Sequence, residues 1–194
     1  MGFVYYHLDD KDVRVASEGG WREEWAELAA GWPRGQCYGK LLTDDGWRAL
    51  EELMPVALRS QTDDWLLEQL ADARYWQPYL TRRKPKGGFT EVDYNKRDAL
   101  ERLCYGEFNI AYIRGVARAL LARGETHCVV YRADDAAEER GECTAWEGHE
   151  FALQAVLDGH RVRYHPPPGE RAAWSVPSGP NCHHSICAVG VNLV

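Results

Sequence analysis

The residues best equipped for chemistry crowd into one short segment, Gly179-Pro180-Asn181-Cys182-His183-His184-Ser185-Ile186-Cys187. Thiolate and imidazole together favour zinc. Cys182, His184 and Cys187, joined by Cys143 from upstream, therefore form a candidate metal set, with His149, His160 or His165 as further donors. The spacing is not the paired Cys-x-x-Cys of a zinc ribbon, so zinc is a candidate cofactor and no more. The same segment holds the types a thiol nucleophile needs: Cys182, a base in His184 and an orienting group in Asn181. Closeness in sequence does not put side chains in that geometry. The simpler reading makes the cysteines small buried groups and the histidines surface or hydrogen-bonded residues.

Other catalytic signatures are incomplete. Glu147-Gly148-His149-Glu150 pairs acid with imidazole but lacks the His-Glu-x-x-His helix of a metalloprotease, and no glycine loop of the Walker or Rossmann kind is present. A non-catalytic role is therefore the first expectation.

These residues must be positioned by an α+β fold. Residues 98 to 124 carry the clearest pattern, a long helix with Leu100, Leu103, Cys104, Phe108, Ala111, Tyr112, Val116, Ala119 and Leu120 on one stripe and Gly124 as its C-terminal stop. Gly106 and Gly115 inside it predict close approach of another backbone. Strands are expected at His127 to Arg132, around Cys128-Val129-Val130-Tyr131, at Arg161 to His165 and from Ser185 to Val194, while Glu150 to Leu157 reads as a short helix or a strand leading into one. Earlier, Phe3 to Leu8 reads as an edge strand, and three amphipathic helices follow. The first starts from Ser17 as N-cap with Trp21, Trp25 and Leu28 inside. The second is capped by Thr43, with Pro55 expected to kink or split it, and the third is capped by Thr62. A tryptophan stripe at this spacing is core rather than a ligand cage.

Between these parts lies Thr81-Arg82-Arg83-Lys84-Pro85-Lys86-Gly87-Gly88. Proline and paired glycine predict a linker over 81–97 without regular structure. It divides a helical region, 1–80, from an α+β domain, 98–194. Arg82, Arg83, Lys84 and Lys86 are then either an arm for nucleic acid or an acidic partner, or the charges of a plain solvated linker.

The net charge of −7 excludes a general nucleic-acid coat. Resolved along the chain, residues 1–80 carry 8 Lys and Arg against 15 Asp and Glu, whereas the remainder balances at 15 against 15. No apolar run approaches the roughly 20 residues of a membrane span, and Met1 to His7 reads as no export signal. The expectation is a protein that works where it is made, touches no membrane and keeps its thiols reduced or metal-bound.

Two segments carry a resemblance. Arg140-Gly141-Glu142-Cys143-Thr144-Ala145-Trp146-Glu147-Gly148-His149-Glu150-Phe151, then Asn181-Cys182-His183-His184-Ser185, resembles the C-terminal signature of bacteriophage minor capsid proteins of the minor capsid protein 2 and Mu F-type head morphogenesis group. That signature runs Arg-Pro-x-His-x-x-Trp-Gln-Gly-x-x-Phe and then Asn-Cys-Arg-His-Ser. Arg140, Trp146, Gly148, Phe151, Asn181 and Ser185 match; Cys143 replaces His, Glu147 replaces Gln and His183 replaces Arg. The resemblance covers at most the last hundred residues. It implies a structural or assembly protein of a phage or prophage head, in a virion or a bacterial cytoplasm, docked at portal or capsid proteins, with packaged DNA as a further contact of the basic arm. It also implies that Cys143, Cys182 and His184 either bind zinc or pin the C-terminal strand by hydrogen bonds. A second, weaker likeness sets an enzyme or toxin domain beside it. Tyr131-Arg132 is similar to the aromatic-Arg strand of ADP-ribosyltransferases, but no Glu-x-Glu follows.

Overall fold

The computed structural model describes residues 3–29, 39–134, 145–159, 176 and 182–193. The first helix, α1, spans Lys11–Ala29 and begins about two turns before the expected start. Asp10 takes the capping role, its Oδ1 accepting from the backbone N–H groups of Asp12 and Val13 at 3.0 and 3.4 Å. Ser17 lies inside the helix, buried, and donates its hydroxyl to the Val13 carbonyl at 2.8 Å. It shares a face with Val13 and Trp21, four residues to either side. Trp25 packs between Trp21 and Trp47, with ring centroids 5.3 and 5.6 Å away.

Thr43 and Thr62 cap the next helices as expected. Helix α2 spans Asp44–Ser60, with the Thr43 hydroxyl accepting from Gly46, and α3 spans Asp63–Leu70, with Thr62 accepting from Trp65. Pro55 does not split α2. Met54, Ala57 and Leu58 on either side of it are buried, and their packing outweighs the roughly 3 kcal/mol that an interior proline costs. Arg14 closes the far end of α2 by donating to the carbonyls of Ala57, Leu58 and Gln61.

The predicted linker over 81–97 is instead a β-hairpin. Strand β1, Leu80–Arg83, pairs antiparallel with β2, Phe89–Val92, in the register Arg83 to Phe89 and Leu80 to Val92. Pro85, Gly87 and Gly88 are the turn itself, with Gly87 and Gly88 at φ +90° and +78°. The residues read as breakers are those a tight reversal requires.

Helix α4, Lys96–Ala122, confirms the strongest sequence pattern, and the chain turns at Gly124 just beyond it. It leads into β3, His127–Arg132, the central strand of a three-stranded antiparallel sheet. One neighbour is β4, Glu150–Ala152, which runs straight into a short helix, α5, Leu153–Asp158. The other is β5, His184–Ala188, so the expected strand from Ser185 to Val194 stops early, at a turn over 189–190. Both faces of β5 are covered. Ile186 enters the main core, whereas Cys187 packs with Tyr131 and Ala133 in a smaller cluster. The expected strand at Arg161 to His165 lies outside the described residues.

Phe3 to Leu8 is not an edge strand. Val4 makes one backbone hydrogen bond, to Ala133 at 2.8 Å, and the chain then turns. Side chains take the remaining groups. Asp63 accepts from the Phe3 N–H and the Tyr5 hydroxyl, Tyr112 accepts from His7 N–H and Tyr131 donates to the Val4 carbonyl. The His7 ring accepts in turn from the Ala188 N–H at 3.0 Å. Asp63 is buried, and burial pushes its carboxyl up to about 6.

The helical first part and the α+β second part share one apolar core. It runs from Val13, Trp21, Leu50 and Leu66 through Phe108, Tyr112 and Val116 to Val130 and Ile186. The division at residue 80 is a division of charge, not of the core. Its tightest point is α1 against α4. A Cβ on Gly115 would lie 1.8 Å from the Ser17 hydroxyl oxygen and 2.7 Å from Ser17 Cα, which is the close approach the sequence predicted. Gly115→Ala should therefore lower unfolding free energy by about 1–3 kcal/mol in urea titrations. Adding Ser17→Gly should recover only part of the loss, because the Ser17 backbone itself obstructs the methyl group. Unchanged stability of Gly115→Ala would contradict this packing.

Candidate functional site

Antiparallel pairing sets Arg132 of β3 directly opposite His184 of β5. Residues directly opposite in such a ladder bring their side chains together on one face. Strand alternation sends Ser185 and Cys187 to the other face, while Cys182, just before β5, lies on the His184 side. The Cys182 sulfur lies 3.6 Å from His184 Nδ1.

The third partner arrives from the far edge of the sheet. The residues before β4 make a tight turn, with the His149 N–H bonded to the Trp146 carbonyl at 3.1 Å and Gly148 at φ +74°. That backbone conformation is expensive for any residue with a Cβ. The turn is tied to the central strand by Gly148 N–H to the Val130 carbonyl at 2.9 Å and Val130 N–H to the His149 carbonyl at 3.2 Å. Glu147, at its apex, reaches over the strand. Its Oε1 accepts from Arg132 Nη2 at 2.6 Å and Nε at 3.0 Å and lies 2.7 Å from His184 Nε2.

The result is a chain of four polar groups, thiol, imidazole, carboxylate and guanidinium, in that order. His184 is buried, its side chain 6% exposed, whereas Glu147 and Arg132 are 27% and 22% exposed. Burial alone would raise the Glu147 carboxyl. The hydrogen bonds from His184 and Arg132 outweigh it and hold Glu147 below the ordinary carboxylate value. From behind, the buried Asn109 of α4 donates Nδ2 to the His184 carbonyl at 2.8 Å and fixes the strand.

The expected site residues fare differently. Cys182 and His184 are brought together as the sequence suggested. Cys187 does not join them. It faces the opposite side of β5, its thiol 3.9 Å from the Val129 carbonyl, and burial pushes that thiol up to about 11. The proposed ligand grouping with Cys187 is thereby broken, because an odd spacing on a strand cannot place both donors on one face. Cys143, Arg140 and Asn181 lie outside the described residues. No group of three or more His, Cys, Asp or Glu among the described residues is placed to hold a metal.

The matched motif positions have structural work of their own. Trp146 packs against the main core, as does Phe151, which sits opposite Cys128 in the sheet and whose carbonyl accepts from its thiol at 3.6 Å. Ser185 is fully buried opposite Tyr131. Arg82, Arg83, Lys84 and Lys86 stand on the separate hairpin, exposed. The sequence reading gave Glu147 no site role and passed over Asn109. The signal for Asn109 was a polar residue between Phe108 and Ile110 in the helix with the clearest apolar stripe. For Glu147 it was the glycine that follows.

No family model, curated protein sequence or solved structure matches this chain.

Removing the Glu147 charge tests the cluster. Glu147→Gln should cost about 2 kcal/mol at pH 7, the scale of hydrogen bonds to charged groups discounted for partial exposure. Because the folded carboxyl titrates below its ordinary value of 4.5, its contribution is complete above that value. It fades as pH falls through the lower folded value. Wild type and variant should therefore differ in thermal stability at pH 6–7 and converge in strong acid. A difference independent of pH would rule out the ionised carboxylate as its source.

Proposed function

We propose that this chain is a structural or assembly protein of a bacteriophage or prophage head, acting at portal or capsid proteins. One observation carries the reading. The two segments that resemble the minor capsid signature are distant in sequence, yet they meet through the bond between Glu147 and His184, at a separation of 37 residues. A signature whose halves hold each other is what a folded docking module requires, since Glu147 pins the C-terminal strand to the turn at Trp146. The zinc alternative gains no support from Cys187, so hydrogen bonds alone are the proposed pin. The role itself needs no catalysis.

The described structure contains no helix long and apolar enough to cross a membrane. Within the head-assembly reading, the basic hairpin is the contact for packaged DNA. Arg82, Arg83, Lys84 and Lys86 project from a ribbon whose residues are nearly all exposed, beside Phe89 at 70% exposure. Cations with an aromatic neighbour suit a phosphate backbone with bases to stack on.

Two experiments test this. Particles purified by density gradient from the induced host should carry the protein in low copy, cosedimenting with portal or capsid protein; an abundant protein absent from particles would overturn the reading. Binding of duplex DNA by the full chain should weaken steeply with salt. Alanine at all four basic hairpin positions should flatten that salt dependence by about 3–4 units of log–log slope, and an unchanged slope would remove the hairpin from DNA contact.

A further inference from the structure

We propose that Cys182 is a nucleophile for acyl transfer from an ester or thioester, with His184 as its general base and acid. The inference does not rest on the head-assembly reading. It starts from the two nitrogens of one ring. His184 Nε2 lies 2.7 Å from a Glu147 oxygen. A carboxylate can only accept, so Nε2 keeps its hydrogen and the lone pair of neutral imidazole falls on Nδ1. That nitrogen is the one beside the thiol, with Sγ at 3.6 Å. Nucleophile, base and orienting carboxylate thus stand in the order that thiol catalysis needs, in the correct tautomer.

A structural pin accounts for Arg132, Glu147 and His184 but not for the thiol. Sulfur is a weak hydrogen-bond partner, and it adds little to an ion pair already closed by a guanidinium. Burying an imidazole and a carboxylate together is also no cheap way to join two strands, since apolar residues of similar volume do as well or better. The other described thiols lack such a neighbourhood. Burial pushes Cys128 up to about 12, Cys187 up to about 11 and Cys104 higher still, so they stay protonated. Glu147 and Arg132 act as positioning residues: Arg132 holds Glu147, and Glu147 holds the ring.

The reaction balances with water as the only co-reactant. His184 Nδ1 takes the Sγ proton as sulfur attacks the carbonyl carbon. The new C–S bond forms, the bond to the leaving oxygen or sulfur breaks, and the departing group takes the proton from the imidazolium. Water then gives a proton to Nδ1 while its oxygen attacks the acyl carbon. The carboxylic acid leaves, and the thiol regains its hydrogen. An ester or thioester suits one imidazole, because alkoxide and thiolate are far better leaving groups than an amide anion and depend less on protonation as they depart.

The full chain treated with p-nitrophenyl acetate and digested for mass spectrometry should carry acetyl on Cys182, removable by hydroxylamine, while Cys104, Cys128 and Cys187 stay unmodified. The rate should rise as pH rises, because only an Nδ1 without its proton can accept the one on Sγ. His184→Asn should slow it about a hundredfold or more. Glu147→Gln should slow it about tenfold and displace the pH profile, whereas a merely structural carboxylate would leave the profile in place. Circular dichroism establishes that each variant is folded. If His184→Asn does not fold, the wild-type profile and Glu147→Gln decide the matter. Acetylation of Cys182 no faster than that of Cys187, or only on unfolding, or with a pH profile that Glu147→Gln leaves unmoved, would overturn the proposal. None of these outcomes bears on particle association, so the two readings fail separately.

Discussion

Helix α4 must be enclosed. Its 27 residues extend about 40 Å, and from Glu107 to Ile113 every residue is buried, so no side of its middle faces water. A helix with a single apolar stripe can lie on a surface, whereas this one needs partners all round. Helix α1 supplies one wall, α3 and α2 others, and β5 with α5 the last. Most described acidic side chains of the first eighty residues stay outside this arrangement, Glu18 and Asp63 being buried exceptions. Their apolar residues, from Val13 to Leu70, belong to the same core as Val130 and Ile186.

The sheet behind α4 then fixes the polar cluster. Cross-strand register puts Arg132 against His184, and the turn at Gly148 carries Glu147 over both. Asn109 connects the two levels, since it belongs to the enclosed helix and bonds the backbone of His184. A shift of α4 along its axis would therefore be felt in the orientation of the imidazole. Packing and site chemistry are linked through one amide.

Much of this was readable where a local signal and the tertiary demand agreed. Thr43, Thr62 and the stripe from Leu100 to Leu120 each state a helix, and each is one. Gly115 announced the close approach of α1, although the partner, Ser17, had been assigned to a cap that Asp10 provides. The hairpin was missed because Pro85, Gly87 and Gly88 signal a break without saying whether the chain resumes pairing afterwards. The first residues were misread because Asp63, Tyr112 and Tyr131 satisfy a backbone that alternation alone assigned to a ladder. At the site, Cys182 and His184 were visible as candidate partners by residue type, but the expected strand began only at Ser185 and did not include them. Glu147 was not visible, since its placement depends on a turn geometry and on a strand pairing between residues far apart in sequence.

The segment from Val4 to His7 has its partners in Ala133, Tyr131 and Ala188. The bond between His7 and Ala188 joins positions 181 residues apart. Such pairing raises contact order, and with it the time a chain needs to find its native state. During synthesis, at about 5–20 residues per second, His7 must wait about nine seconds or more for Ala188, whose N–H it accepts. The three N-terminal helices can coil meanwhile, but the apolar faces they turn toward α4 stay open until it emerges. The contact between His7 and Ala188 therefore closes only after translation has passed residue 188.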